Sequence, residues 1–177
     1  MNDLLKLRTP DKLLNYMKEN ISYGFMTKDG SIEKENYVNF GRKYKLQTPE
    51  EVYKNKVGVC WDQVEFQKLI FDKYIRLPVD TYFVDISDGK KTTHTHTFLV
   101  YSNGDGYFNY FENSYEKLRG IHKFKNIYLT VNYVLENLKK DVTAKHITVY
   151  KYTDVRFGIS ADEYLSHVKK GDIVLKI

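Results

Sequence analysis

Cysteine is almost missing from this 177-residue chain: there is one copy, Cys60, and the only tryptophan, Trp61, stands beside it. A single thiol forms no internal disulfide, so the expected home is a reducing, cytoplasmic one. The opening residues MNDLLKLRTP carry neither the charged leader nor the apolar stretch of a secretory signal. No run approaches the roughly 18 apolar residues of a membrane span, so no membrane association is expected. Like charges never form a block of about five or six. The 28 Lys and Arg against 23 Asp and Glu leave a net charge of +5, with Lys–Lys pairs at 90–91, 139–140 and 169–170. That spread reads as a solvated basic surface, and without a nucleic-acid-binding motif no nucleic-acid partner is expected. There is no second cysteine, no H-E-x-x-H motif of a zinc site, and no internal repeat.

What is abundant is aromatic: 16 Tyr and 10 Phe. Such a composition builds a packed core rather than a disordered chain. A chain of this length buries roughly 70% of its unfolded surface and is read as one domain spanning 1–177. Two of the three prolines open helices. Thr9 caps and Pro10 takes the first helical position, with Leu13, Leu14, Met17 and Ile21 at helical spacing. Thr48, Pro49 and Glu51 repeat the device with a capping box. Between them, residues 23–46 read as loops or short irregular strands. A central, largely apolar helix runs from Cys60 toward Pro78, with Cys60, Val64, Phe66, Ile70, Phe71 and Tyr74 on one half. Asp62 and Glu65 suit its first turns through the helix dipole, and Gln63 and Gln67 interrupt its apolar half. Strands are expected at 81–86 and on both sides of the NGDG turn at 103–106. A helix at 126–139, a strand at ITVYKY, a Ser160–Glu163 capped helix and a closing strand DIVLKI complete an α+β fold, an antiparallel sheet packed on a central helix.

The stretch VGVCWDQVEF (57–66) raises the chemical question. A free thiol, with a pKa of about 8.5, is a poor nucleophile at neutral pH, and a helix N-terminus or a nearby histidine favours its thiolate. A third polar group then orients the imidazole. The chain offers these parts in order. His94 and His96 share one face of the strand before NGDG, and Glu112 and Asn113 end the strand after it. A three-residue turn (103–105) pairs His96 directly with Glu112, whereas an even turn faces it to Asn113. Both orienters stay open at this point.

The order GVCWDQ, then HTFLVYSNGDGYFNYFE, resembles the transglutaminase-like superfamily, a branch of the papain-like thiol enzymes, and is most similar to small bacterial members of it. The resemblance covers residues 48–122. It implies a papain-like fold with Cys60 as nucleophile, His96 as general base and Glu112 as orienter, one carbon longer than the family's usual aspartate. It also implies a thiol-dependent peptidase, amidase or transglutaminase acting on a peptide or protein amide through a thioester, with no cofactor. Trp61, Gln63, His94 and Asn113 surround the triad as supporting candidates, while His122 falls outside the motif order. Two other classes compete: a binding module that keeps the fold without turnover, and a zinc-dependent hydrolase using His94, His96 and Cys60.

Overall fold

The computed structural model describes residues 4–177. After a 3-10 turn at Leu4–Lys6 comes helix α1 (Pro10–Asn20). It starts where expected, because the Thr9 hydroxyl accepts the Lys12 N–H and Pro10 occupies the first turn. The next stretch contains strands β1 (Phe25–Met26) and β2 (Ile32–Glu33), and a single helical turn, α2 (Phe40–Lys43), that no periodicity announces. Helix α3 (Pro49–Asn55) carries both halves of the Thr48–Glu51 capping box. Helix α4 (Cys60–Ile70) follows and widens into a π-turn at Phe71–Ile75, which Arg76 closes in a left-handed conformation ahead of Pro78.

The remainder builds the sheet: β3 (Val79–Ser87), β4 (Thr92–Tyr101), β5 (Phe108–Glu112), β6 (Gly120–Phe124), α5 (Ile127–Asp141), β7 (His146–Tyr152), α6 (Ala161–Val168) and β8 (Asp172–Lys176). The six longer strands form one antiparallel sheet in the order β6-β5-β4-β3-β7-β8, so the fold is α+β, with six α-helices among the described residues. Strand β6 was not expected, since GIHKF shows little apolar alternation and stays half-buried. Among the described residues no helix is long and apolar enough to cross a membrane.

Strand alternation divides the core into two faces. Leu99, Tyr101 and Phe111 meet α1, α4 and the π-turn through Leu13, Met17, Val64, Phe66, Ile70 and Phe71. Phe83 on the same face packs with Trp61 and, from α6, Tyr164 and Val168. The opposite face, with Tyr82, Val84, Phe98, Val100 and Tyr110, meets α5 through Val131, Val134 and Leu135. Full burial of each such side chain contributes about 1.5–3 kcal/mol before entropy is counted.

The β4–β5 register differs from both alternatives read from the sequence. Leu99 faces Phe111, Val100 faces Tyr110 and Tyr101 faces Asn109. One further step along this register puts Glu112 across from Phe98, so His96 lies diagonal to Glu112 rather than opposite it or Asn113. The connection is longer than a three-residue turn, but its parity keeps His96 and Glu112 on one face. Strand β5 ends at Glu112 while β4 continues back to Thr92, so β5 leaves β4 uncovered beside His96.

Candidate active site

Cys60 is the first residue of α4, and no Ser or Thr caps that helix. Asp62 takes over the task. Its Oδ2 accepts the Val59 N–H at 3.0 Å, and its Oδ1 accepts the Tyr44 hydroxyl and the Gln47 N–H, each at 2.9 Å. Burial pushes the Asp62 carboxyl up to about 7, although all three donors pull the other way. Gly58 allows the tight entry, because a Cβ there would meet Asp62 Cβ at 3.0 Å and Gln63 Cγ at 3.3 Å. Gln63 then donates to the Gly58 carbonyl at 2.8 Å and accepts from Asn113 Nδ2 at 2.8 Å, joining the helix tip to the chain that leaves β5. Glu65 is buried as well, accepting from the Tyr152 hydroxyl and pairing with Lys68. Asp62 and Glu65 are therefore tertiary anchors, a larger role than the dipole contact expected of them.

His96 and Glu112 point to the α5 face of the sheet, whereas the body of α4 lies on the other. The tip of α4 reaches His96 where β5 has ended. There Glu112 holds the imidazole from one side, its Oε2 accepting from Nε2 at 2.7 Å, and the Cys60 thiol lies beside the ring and favours its charged form. Cys60, His96 and Glu112 are 4%, 5% and 2% exposed, so water screens this cluster little. Burial alone would make the imidazole harder to protonate. The Glu112 carboxylate and the thiol outweigh it and push His96 up to about 10. Burial likewise opposes ionisation of Glu112, and His96, Tyr110 and the Tyr115 N–H overcome it and hold the carboxyl below its ordinary value.

Glu112 has no spare acceptor capacity. Its Oε2 takes His96 and the Tyr110 hydroxyl, the latter at 2.5 Å; its Oε1 takes the Ser114 N–H, the Ser114 hydroxyl and the Tyr115 N–H at 2.7, 2.9 and 2.9 Å. A carboxylate so saturated has one orientation. The extra carbon of glutamate is what spans the diagonal to His96. The imidazole bonds to Glu112 and not to Asn113, whose Nδ2 donates to Gln63 instead.

A cavity of about 200 Å³, lined by Tyr23, Thr95, His96, Ser114, Tyr115 and Leu138, opens beside the imidazole. The Tyr23 ring is half-exposed, but its hydroxyl turns inward to the Cys60 thiol, where burial and the neighbouring thiol raise its pKa. A larger cavity, about 620 Å³, lies away from the thiol around Glu65, Lys68, Asp80 and Lys151, whose charges pair with one another or with Asp154. Trp61 is core: it stacks on Tyr164 at 4.4 Å and meets Tyr44 edge-on. His94 is exposed on the β4 overhang, outside the cluster. Among the described residues no three His, Cys, Asp or Glu side chains converge as metal ligands, so His94, His96 and Cys60 form no such set.

Tyr23, Tyr110, Ser114 and Tyr115 escaped the sequence reading. Tyr110 was within reach of it, because a residue two before Glu112 on a strand shares its face. Tyr23 left no signal, since it sits in the loop between α1 and β1, far from Cys60 in the chain. No model of a known protein family matches the chain, and no curated protein matches it either.

Proposed function

We propose that this protein is a cysteine-nucleophile enzyme of transglutaminase-like, papain-like fold that cleaves or exchanges amide bonds of a peptide or protein substrate. The observation that carries the reading is the imidazole of His96, fixed by a fully occupied Glu112 carboxylate on one side and turned to a helix-tip thiol on the other. In this mechanism the Cys60 thiolate attacks the amide carbonyl carbon. The carbonyl π pair moves onto oxygen, and the Cys60 backbone N–H, free of an intrahelical partner at the helix start, faces that charge. On collapse the C–N bond breaks, the imidazolium proton passes to the leaving nitrogen, and a thioester remains on Cys60. Water as second nucleophile gives a peptidase or amidase; a primary amine gives a transglutaminase. Glu112 keeps the imidazole oriented and its charge compensated throughout. No cofactor enters this sequence.

The near-complete burial of Cys60 favours one competing reading, a binding module that retains the architecture without turnover. The rate of Cys60 alkylation by iodoacetamide from pH 4 to 10, in wild type and His96→Ala, separates the two. The enzyme reading expects rapid alkylation already at pH 6, lost in the variant. Alkylation only at alkaline pH, unaffected by the substitution, leaves the binding module.

A further inference from the structure

Tyr23 occupies a position that the triad does not explain. Its hydroxyl lies beside the thiol, which opposes its ionisation, and its ring lines the same cavity as His96. The backbone on both sides is pinned to the segment that delivers Cys60. The Ser22 N–H and hydroxyl both donate to the Lys56 carbonyl at 3.0 Å, and the Gly58 N–H donates to the Ser22 carbonyl at 3.1 Å. Beyond Tyr23, Gly24 packs so closely on this segment that a Cβ would meet Val57 Cγ2 at 2.7 Å and the Glu33 carbonyl at 2.6 Å. Ser22 and Val57 form a parallel bridge. The distance from phenol to sulfur is thus set within one hydrogen-bonded unit. A swinging cover would lack these bonds.

A fixed donor at the sulfur serves acyl chemistry in a specific way. Once the sulfur bonds to a carbonyl carbon, the carbonyl oxygen lies one bond beyond that carbon, within reach of donors that served the sulfur. We propose that the Tyr23 hydroxyl is a catalytic residue, donating with the Cys60 backbone N–H to the oxyanion that forms when Cys60 attacks. The inference rests on the acyl-transfer reading above. In the resting site the hydroxyl lies beside the sulfur; during attack, the S–C bond forms, the π pair localises on oxygen, and the hydroxyl donates to that oxygen without proton transfer. Burial keeps the phenol protonated, as a donor must be. The Tyr37 ring, its centroid 6.1 Å away and its plane tilted by 42°, lies beside it.

Two reactions at one sulfur test this. Alkylation by iodoacetamide passes through no oxyanion, whereas acylation by p-nitrophenyl acetate does, and that ester is small enough for the cavity. Tyr23→Phe, nearly isosteric, should slow p-nitrophenolate release about 100-fold while alkylation stays within about threefold, because an oxyanion donor contributes on the order of 10²–10³ to the acyl step alone. Equal acylation rates in wild type and variant would overturn the inference and leave the triad intact. Equal slowing of both reactions would instead make Tyr23 a support of the thiol, and acceleration of both would make it a cover; either result overturns the inference. If wild type alkylates in a His96-dependent way yet releases no p-nitrophenolate, Tyr23 has no oxyanion to hold and the inference falls. If even wild-type alkylation lacks that dependence, the acyl-transfer reading fails first and takes this inference with it.

Discussion

Helix α5 rests on the sheet through one stripe, Thr130, Val131, Val134 and Leu135, and leaves the rest of its surface half-buried or exposed. Helix α4 buries every residue from Cys60 to Gln67 and then Ile70. The stripe of α5 is what the hydrophobic effect produces on its own. Four of the residues α4 buries, Asp62, Gln63, Glu65 and Gln67, are polar, and burial of such groups is tolerable only with partners. Asp62, Gln63 and Glu65 spend theirs on the loops and strands around Cys60. An ordinary helix is held by oil; this one is also aimed by hydrogen bonds.

Asp62→Ala tests the contrast most severely. It leaves the Tyr44 hydroxyl and the Gln47 and Val59 N–H groups without their acceptor. Orphaned buried donors cost about 1–3 kcal/mol each, so the total loss should be about 4 kcal/mol in urea unfolding after partial relaxation. Cys60 alkylation at pH 6 should fall along with stability. A destabilised protein with undiminished thiol reactivity would mean that these bonds do not aim Cys60.

Next in size is a pH dependence that α5 cannot supply. His96 has a folded pKa raised from 6.5 to about 10, so its contribution to stability is complete below about 6.5 and is lost as pH rises toward 10. Glu112, lowered from 4.5, has the opposite sign: its contribution is present above about 4.5 and is lost on acidification through its lower folded value. The pair therefore stabilises most between about 4.5 and 6.5. Asp62, raised from 3.8 to about 7, adds its own decline between those values. In thermal melts across pH, His96→Gln should flatten the segment from about 6.5 to 10 and leave the Asp62 segment in place. An unchanged alkaline limb would show that His96 carries no extra proton in the fold.

The smallest effect belongs to α5. Its Asn126 side chain accepts the Leu129 N–H as an N-cap. Asn126→Ala should cost about 1 kcal/mol in urea unfolding, with Cys60 alkylation unchanged. A reactivity change as large as that of Asp62→Ala would dissolve the distinction between the two helices.

Much of the fold was legible because it is written in local signals. Thr9–Pro10, Thr48–Pro49–Glu51 and Ser160–Glu163 each name a helix start through a hydrogen bond made within three residues, and all three form. Strands β4, β5 and β7 follow their residue patterns. The one-turn helix α2 and strand β6 were not legible, since neither has a periodicity of its own and both depend on neighbours. Within the site, the order of Cys60, His96 and Glu112 was visible, but the diagonal relation of the last two was not. That relation depends on the connection between β4 and β5, whose length the turn residues leave undecided between registers.

Local pattern suffices for the helix that opens at Cys60, the strand face shared by His94 and His96, and an acid at the end of the next strand, because helical and strand periods act over a few residues. Long-range packing makes β5 stop short of the β4 overhang, letting the tip of α4 meet an imidazole that points to the other face of the sheet. It also sets Glu112 against five donors and brings Tyr23 to the sulfur. These contacts join residues far apart in the chain, and their geometry is fixed by the packing of whole elements, which local pattern does not encode.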